Sequence, residues 1–164
     1  MILRISFLNH LQALKFHLMG TLFMLIALYF LNFDRIFLLV FFSIWVLYTL
    51  PTLYLHFRYF LINKGQEIII MNDELVLKYN NREDFRIFAK QEIEKIVLCR
   101  SASLDKGGVP LSSIETYQYV RIFLNTGYVI NITNLMTPYL DDVLNQFKGV
   151  CFVRKKGVFC LFSL

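Results

Sequence analysis

Two uninterrupted apolar runs constrain this chain more than any other feature it has. Residues 16–33 and 36–57 contain no Asp, Glu, Lys or Arg, and they hold 18 and 22 residues. At ~1.5 Å per helical residue they reach roughly 27 and 33 Å, against a hydrocarbon thickness of about 30 Å. Lipid offers no hydrogen-bond partners, so a segment that crosses it satisfies its own backbone as a helix. The alternative is two helices buried in a soluble core, and a chain of 164 residues is small to enclose both. The linker Asn32-Phe33-Asp34-Arg35 permits only a tight turn, so an antiparallel hairpin is expected. Pro51 would kink the second helix. Gly20 and Thr21 are small enough to let the helices approach closely.

Basic residues set the expected orientation. Arg4 and Lys15 precede the first helix and Arg58 and Lys64 follow the second, whereas the turn offers Arg35 beside Asp34. The positive-inside tendency then places both termini in the cytoplasm, with these four basic residues at the membrane interface. The expectation is a multi-pass inner-membrane protein whose first partner is the lipid bilayer. Tyr54 and Tyr59 fall where an aromatic belt belongs. No small-residue cleavage site follows a short apolar core, so no removed signal peptide is expected.

After Tyr59 the apolar run is broken by Asn63, Lys64, Gly65 and Gln66, and the periodicity changes. Residues 68–71 are too short to span and rich in isoleucine, which favours strand. Asn72-Asp73 marks a turn; Leu75, Leu77 and Tyr79 alternate with Glu74, Val76 and Lys78; Asn80-Asn81 marks a second turn before Phe85, Ile87 and Ala89. Residues 93–99 form another β-rich run, and 101–113, with Gly107, Gly108 and Pro110, reads as a long loop. Residues 116–124 and 128–133 are expected as strands joined at Asn125-Thr126-Gly127. Thr137 then caps a helix with Pro138 at its first position. Leu140, Val143, Leu144 and Phe147 keep helical spacing, and Gly149 supplies the stop. The division expected is 1–62 for the N-terminal segment and hairpin, with helices at about 16–33 and 36–57, and 63–164 for a cytoplasmic α+β domain.

The tail 150–164 places two apolar runs around Arg154-Lys155-Lys156-Gly157, which predicts a terminal β-hairpin with Gly157 at a positive φ or a bulge. Cys99, Cys151 and Cys160 show no CxxC spacing, and a cytoplasmic domain would keep them reduced. Cys151 and Cys160 flank the expected turn and could face one another, but all three read first as small apolar residues.

The stretches FRIFAKQEIEKIVL and YVRIFLNTGYVINITNLMTPYLDDVLNQF resemble the bacterial small membrane proteins of the YcxB/YdbS-like type. Those place a transmembrane hairpin ahead of a pleckstrin-homology-like domain. The resemblance covers most of residues 1–148 and implies a pleckstrin-homology-like barrel with one C-terminal amphipathic helix. Two features depart from it. The first strand-to-strand turn, Met71-Asn72-Asp73-Glu74, is acidic where eukaryotic lipid-binding relatives are basic, and the hairpin at 150–164 is additional. Headgroup binding is therefore assigned to no residue.

No constellation for catalysis emerges. All three histidines, His10, His17 and His56, lie in or beside the helices. His17 and His56 are expected near each other at the inner interface, without a third ligand for a metal. Asp141 and Asp142 complement a helix dipole, Glu92 and Glu94 read as an exposed strand face, and Asp105-Lys106-Gly107-Gly108 lacks the frame of a phosphate loop. Ser101, Ser103, Ser112 and Ser113 have neither a nucleophile elbow nor a histidine. From Lys64 onward thirteen basic and eleven acidic residues nearly balance, so the excess positive charge belongs to the membrane half and no nucleic acid is implied. The expectation is a non-enzymatic binding or scaffold module without a cofactor. It would meet a protein partner, or a second copy, through the loop 101–113, Arg154, Lys155, Lys156, Phe159 and Leu161. A small membrane immunity or envelope stress-response protein is the alternative that size and anchor permit.

Overall fold

The computed structural model describes residues 1–31, 35–71, 74–79, 85–110, 112–147, 149–157 and 160. The chain begins with a short strand, β1 (Ile2–Arg4), followed by two long helices, α1 (Phe7–Leu31) and α2 (Arg35–Asn63). Both are long and apolar enough to cross a membrane, and both begin or end well outside the charge-free runs. Strands β2 (Gln66–Met71), β3 (Glu74–Tyr79) and β4 (Phe85–Ala89) follow. A 3-10 turn at Lys90–Glu92 leads into β5 (Ile93–Ser101), a short helix α3 (Ala102–Asp105) and a second 3-10 turn at Ser113–Thr116. Then come β6 (Tyr119–Leu124), β7 (Val129–Thr133), α4 (Leu140–Asn145) and β8 (Phe152–Gly157).

Among the described residues the strands make two four-stranded sheets, β1-β2-β3-β4 and β7-β6-β5-β8, and no closed barrel joins them. β1 pairs antiparallel with β2 through Leu3 and Ile68. The segment ahead of the helices therefore contributes a strand, and the helical hairpin stands between the first two strands of its sheet. The period-two pattern sends Ile68, Ile70, Leu75 and Leu77 inward against Ile96, Leu98, Val120, Ile122 and Ile132, and α4 adds Leu140 and Val143. The opposite face of the second sheet is also covered. There Cys99, Tyr117 and Tyr119 pack with Ala13 of α1 and Leu55 and Tyr59 of α2. The second sheet thus lies between a β-core and the bases of the two helices.

Several expectations change. The hairpin loop Asn125-Thr126-Gly127 forms as read, with Gly127 at φ 79° and its N–H donating to the Leu124 carbonyl at 2.8 Å. The terminal hairpin does not form as read. Residues 152–157 are one strand running parallel to β5, from Phe152 opposite Ile96 to Gly157 opposite Ser101. Gly157 is not at positive φ, and Arg154, Lys155 and Lys156 lie within the strand instead of at a turn. The physical reason is the edge of β5, whose open backbone groups accept the tail. The region 101–113 is partly helical, because Ser101 caps α3 by accepting from the Leu104 N–H. α4 is shorter than expected and starts after Tyr139, not after Thr137. Glu92 sits in a 3-10 turn, where its carboxylate accepts from the Ala89 N–H at 2.9 Å. Gly20 has no neighbour within 4 Å of where a Cβ would stand, whereas Thr21 accepts from the Trp45 indole N–H at 3.1 Å. The turns at Asn72-Asp73 and Asn80-Asn81 lie outside the described residues.

Candidate site at the helix base and the β8 edge

Two places gather the polar and charged side chains of the fold. The first is the helix base. Asn9, one turn into α1, donates its amide to the carbonyls of Leu135 and Met136 at 3.1 and 2.9 Å, just beyond β7. Asn63, at the end of α2 and fully buried, donates to the Asn131 carbonyl at 2.7 Å. Higher up, the Ser113 N–H donates to the Tyr48 hydroxyl at 3.1 Å, and the Thr116 hydroxyl lies 3.1 Å from the Ala13 carbonyl. Buried backbone groups need partners: the Asn9 and Asn63 amides on the helices donate to carbonyls in and just beyond β7, while Tyr48 and the Ala13 carbonyl on the helices accept from Ser113 and Thr116. The helices are therefore fixed to the sheet from Asn63 up to Tyr48.

Between these ties runs a chain of three rings. His10 Nδ1 is 2.8 Å from His56 Nε2, and His56 Nδ1 is 2.9 Å from the Tyr117 hydroxyl. Burial raises the Tyr117 pKa above its ordinary range, so the hydroxyl stays protonated. The arrangement is satisfied when Tyr117 donates to His56 and His56 donates to His10, since a neutral imidazole has one donor and one acceptor. The expected neighbour of His56 was His17, and this is corrected. α1 starts at Phe7, which sets His10 at the height of His56 and leaves His17 stacked on Trp45 and Tyr48. Tyr59 is also not part of an exposed belt, because it is fully buried, whereas Tyr54 is exposed. Of the four expected interface cations, Arg4, Lys15 and Lys64 are exposed and Arg58 is half-buried. Lys15 and Lys64 lie near the rings of their own neighbours Phe16 and Phe60. Among the described residues no group of three or more His, Cys, Asp or Glu is placed to hold a metal ion.

The second place is β8. Side chains alternate along it, so Phe152, Arg154 and Lys156 share a face and Lys155 takes the other. Asp105, at the end of α3, meets two of them: Lys156 Nζ at 2.7 Å and Arg154 at 3.6 Å. The hydrogen bond from Lys156 holds the Asp105 carboxyl below the usual carboxylate range, with the nearby charges of Arg154 and Arg100 acting in the same direction. The sequence places Asp105 in a long loop, and only the pairing of β8 with β5 brings the three together. A cleft of about 290 Å³ separates β8 from α4, with Leu144, Phe147, Phe152 and Arg154 in its walls. Nearby, Arg100 on β5 binds Asp141 of α4 at 2.9 Å, so that aspartate has a specific partner beyond the helix dipole. Phe159 and Leu161 lie outside the described residues.

The cysteines differ most from expectation. Cys99 on β5 and Cys160 form a disulfide across 61 residues of sequence, with Cα atoms 5.7 Å apart. Cys151 is free and exposed, so the pair expected around a terminal turn is not the pair that forms. The parallel seating of β8 returns Cys160 to Cys99, on the face of the sheet turned toward the helices.

A family model described as PH domain matches residues 4–142. This chain belongs to the PH domain family. The match runs through both long helices and ends inside α4, so β8 and Cys160 of this PH domain protein lie beyond it. A search of curated proteins finds no match to the chain.

Proposed function

We propose that this PH domain protein is a non-catalytic binding module held against the inner face of a bacterial membrane by its helical hairpin. One observation carries the anchor: the helices are bare. Phe23 and Leu47 keep 75% and 72% of their surface exposed, as do many neighbours between residues 18 and 53. Apolar surface on that scale is covered by lipid or by another chain. Above the level of His17 and Tyr48, α1 and α2 run free for about 14 residues each, or roughly 21 Å. That is short of a hydrocarbon core of about 30 Å. The outer face of α2 stays apolar and exposed lower down, at Leu50, Leu53 and Phe57. The reading that reconciles these puts lipid along that outer face while the domain grips the other, pressed against the bilayer.

Orientation in this reading follows charge: Arg4, Lys15, Arg58 and Lys64 all lie at the domain end of the hairpin. The likeness to the YcxB/YdbS-like proteins belongs to the same reading. The Cys99–Cys160 bond opposes it, because stable disulfides mark oxidising compartments; cytosolic ones are characteristically transient or redox-sensing. Cys151 tests the orientation directly, since it is free and exposed. A membrane-impermeant maleimide applied to intact spheroplasts should leave Cys151 unlabelled and should label it after lysis. Labelling before lysis would place the domain outside and overturn the orientation. Release of the chain by carbonate washing would overturn the anchor.

A further inference from the structure

β8 stands apart from the other described strands. It lies beyond the matched segment, and it is the parallel partner in a fold whose other described strand pairs are antiparallel. Removing it in thought leaves β5 as the edge of the sheet, with open backbone groups, beside an unneutralised Asp105 and the α4 cleft. That is the form of a site that binds an extended segment by strand addition: main-chain bonds give affinity and alternate side chains give specificity. The tail fills each part of it. The Ile96 N–H donates to the Cys151 carbonyl at 2.8 Å, Phe152 lies in the cleft wall, and Arg154 and Lys156 neutralise Asp105. Beyond the strand, Cys160 is bonded to Cys99, and its carbonyl accepts from Tyr59.

We propose that the β5 edge is an acceptor site for an extended basic segment of a partner protein, occupied in cis by β8 and locked by the Cys99–Cys160 disulfide. The partner segment carries an aromatic residue followed, two and four positions on, by Arg or Lys, as in Phe152, Arg154 and Lys156. A strand tied at both ends cannot leave its neighbour, whereas one tied at a single end can be displaced. The unlocking step is thiol–disulfide exchange with a dithiol. One thiolate attacks a sulfur of the Cys99–Cys160 bond to give a mixed disulfide. The second thiol resolves it, so Cys99 and Cys160 end as thiols with two protons and the dithiol ends as its disulfide. The proposal deepens the binding-module reading and rests on it for the partner. The spectroscopic test below does not depend on which side of the membrane the domain occupies.

The full chain is held in a zwitterionic detergent with Cys151 alkylated beforehand. The probe is a fluorescent peptide of residues 152–157, Phe-Val-Arg-Lys-Lys-Gly, followed by anisotropy with and without dithiothreitol. Binding at least tenfold tighter after reduction is expected. The Cys160→Ser chain should match the reduced protein without dithiothreitol, and adding Asp105→Arg to it should abolish binding. A peptide with Glu at the second and fourth positions after Phe should not bind. Hydrogen exchange gives a second readout that needs no variant: amides of β5 and β8 should exchange at least tenfold faster in the reduced wild-type chain. Equal protection in both redox states would show β8 to be a permanent strand and overturn the proposal. So would equal peptide binding in both states, or none in either. A tight reduced-state complex on a chain whose Cys151 is labelled from outside would instead retain the acceptor site and reject only the cytoplasmic orientation.

Discussion

The Tyr59 hydroxyl donates to the Cys160 carbonyl at 2.7 Å, joining the base of a long apolar helix to the far end of the chain across 101 residues. Tyr59 is fully buried and its ring stands edge-on to Tyr117 at 5.1 Å. Replacing it with Phe keeps the ring and strands a buried carbonyl, which costs about 1–3 kcal/mol. Thermal unfolding of the detergent-solubilised Tyr59→Phe chain should therefore show a lower midpoint than wild type. An unchanged midpoint would mean that solvent reaches the Cys160 carbonyl.

Asn63 ties α2 to β7 from a fully buried position. Asn63→Ala leaves the Asn131 carbonyl without its donor and should destabilise the fold by about 1–3 kcal/mol. Asn9 is only partly buried, and Asn9→Ala should cost less, about 1 kcal/mol. Chemical denaturation of both variants in one detergent reads the order, and a larger loss for Asn9 would contradict the burial argument.

Core and helix surface should respond oppositely to truncation. Ile122 and Ile132 are fully buried between the sheets, so either residue changed to Ala should lose about 2–5 kcal/mol. Phe23→Ala removes more side chain from a position that touches little of the protein, and its unfolding free energy in detergent should change by less than about 0.5 kcal/mol. A Phe23 effect as large as that of Ile132 would show α1 buried against protein.

Acid should loosen the β8 clamp. The Asp105 carboxyl titrates below its ordinary value because Lys156 donates to the ionised form. Its contribution is present above the unfolded value near 3.8 and is lost as pH falls through the lower, folded value. Hydrogen exchange of β8 relative to β6 should then rise below about pH 4 in the wild-type chain. Asp105→Asn should flatten that dependence; an unchanged acid response in the variant would assign it to another carboxylate.

How much of this was legible in sequence depends on the range of each interaction. The apolar runs, the period-two strands and the Asn125-Thr126-Gly127 turn are local, because lipid length, pleat and turn geometry act over a few residues. The partner of His56, expected as His17 and found as His10, and the path of the tail are not local for the opposite reason. A three-residue strand, Ile2–Arg4, gives too short a pattern to detect, yet its pairing with β2 accompanies an α1 that begins at Phe7 and brings His10 to His56. Arg154-Lys155-Lys156-Gly157 resembles a turn when only its neighbours are considered; the open edge of β5, more than fifty residues earlier, makes it a strand.

The sequence by itself determined that two apolar helices lead into a sheet-rich α+β domain, since hydropathy length and alternation are properties of consecutive residues. Only the tertiary structure decided that the first residues join the sheet, that Cys99 takes Cys160, and that Asp105 faces Arg154 and Lys156. Strand pairing joins backbone groups whatever their distance in sequence, so its partners are selected by packing and not by pattern.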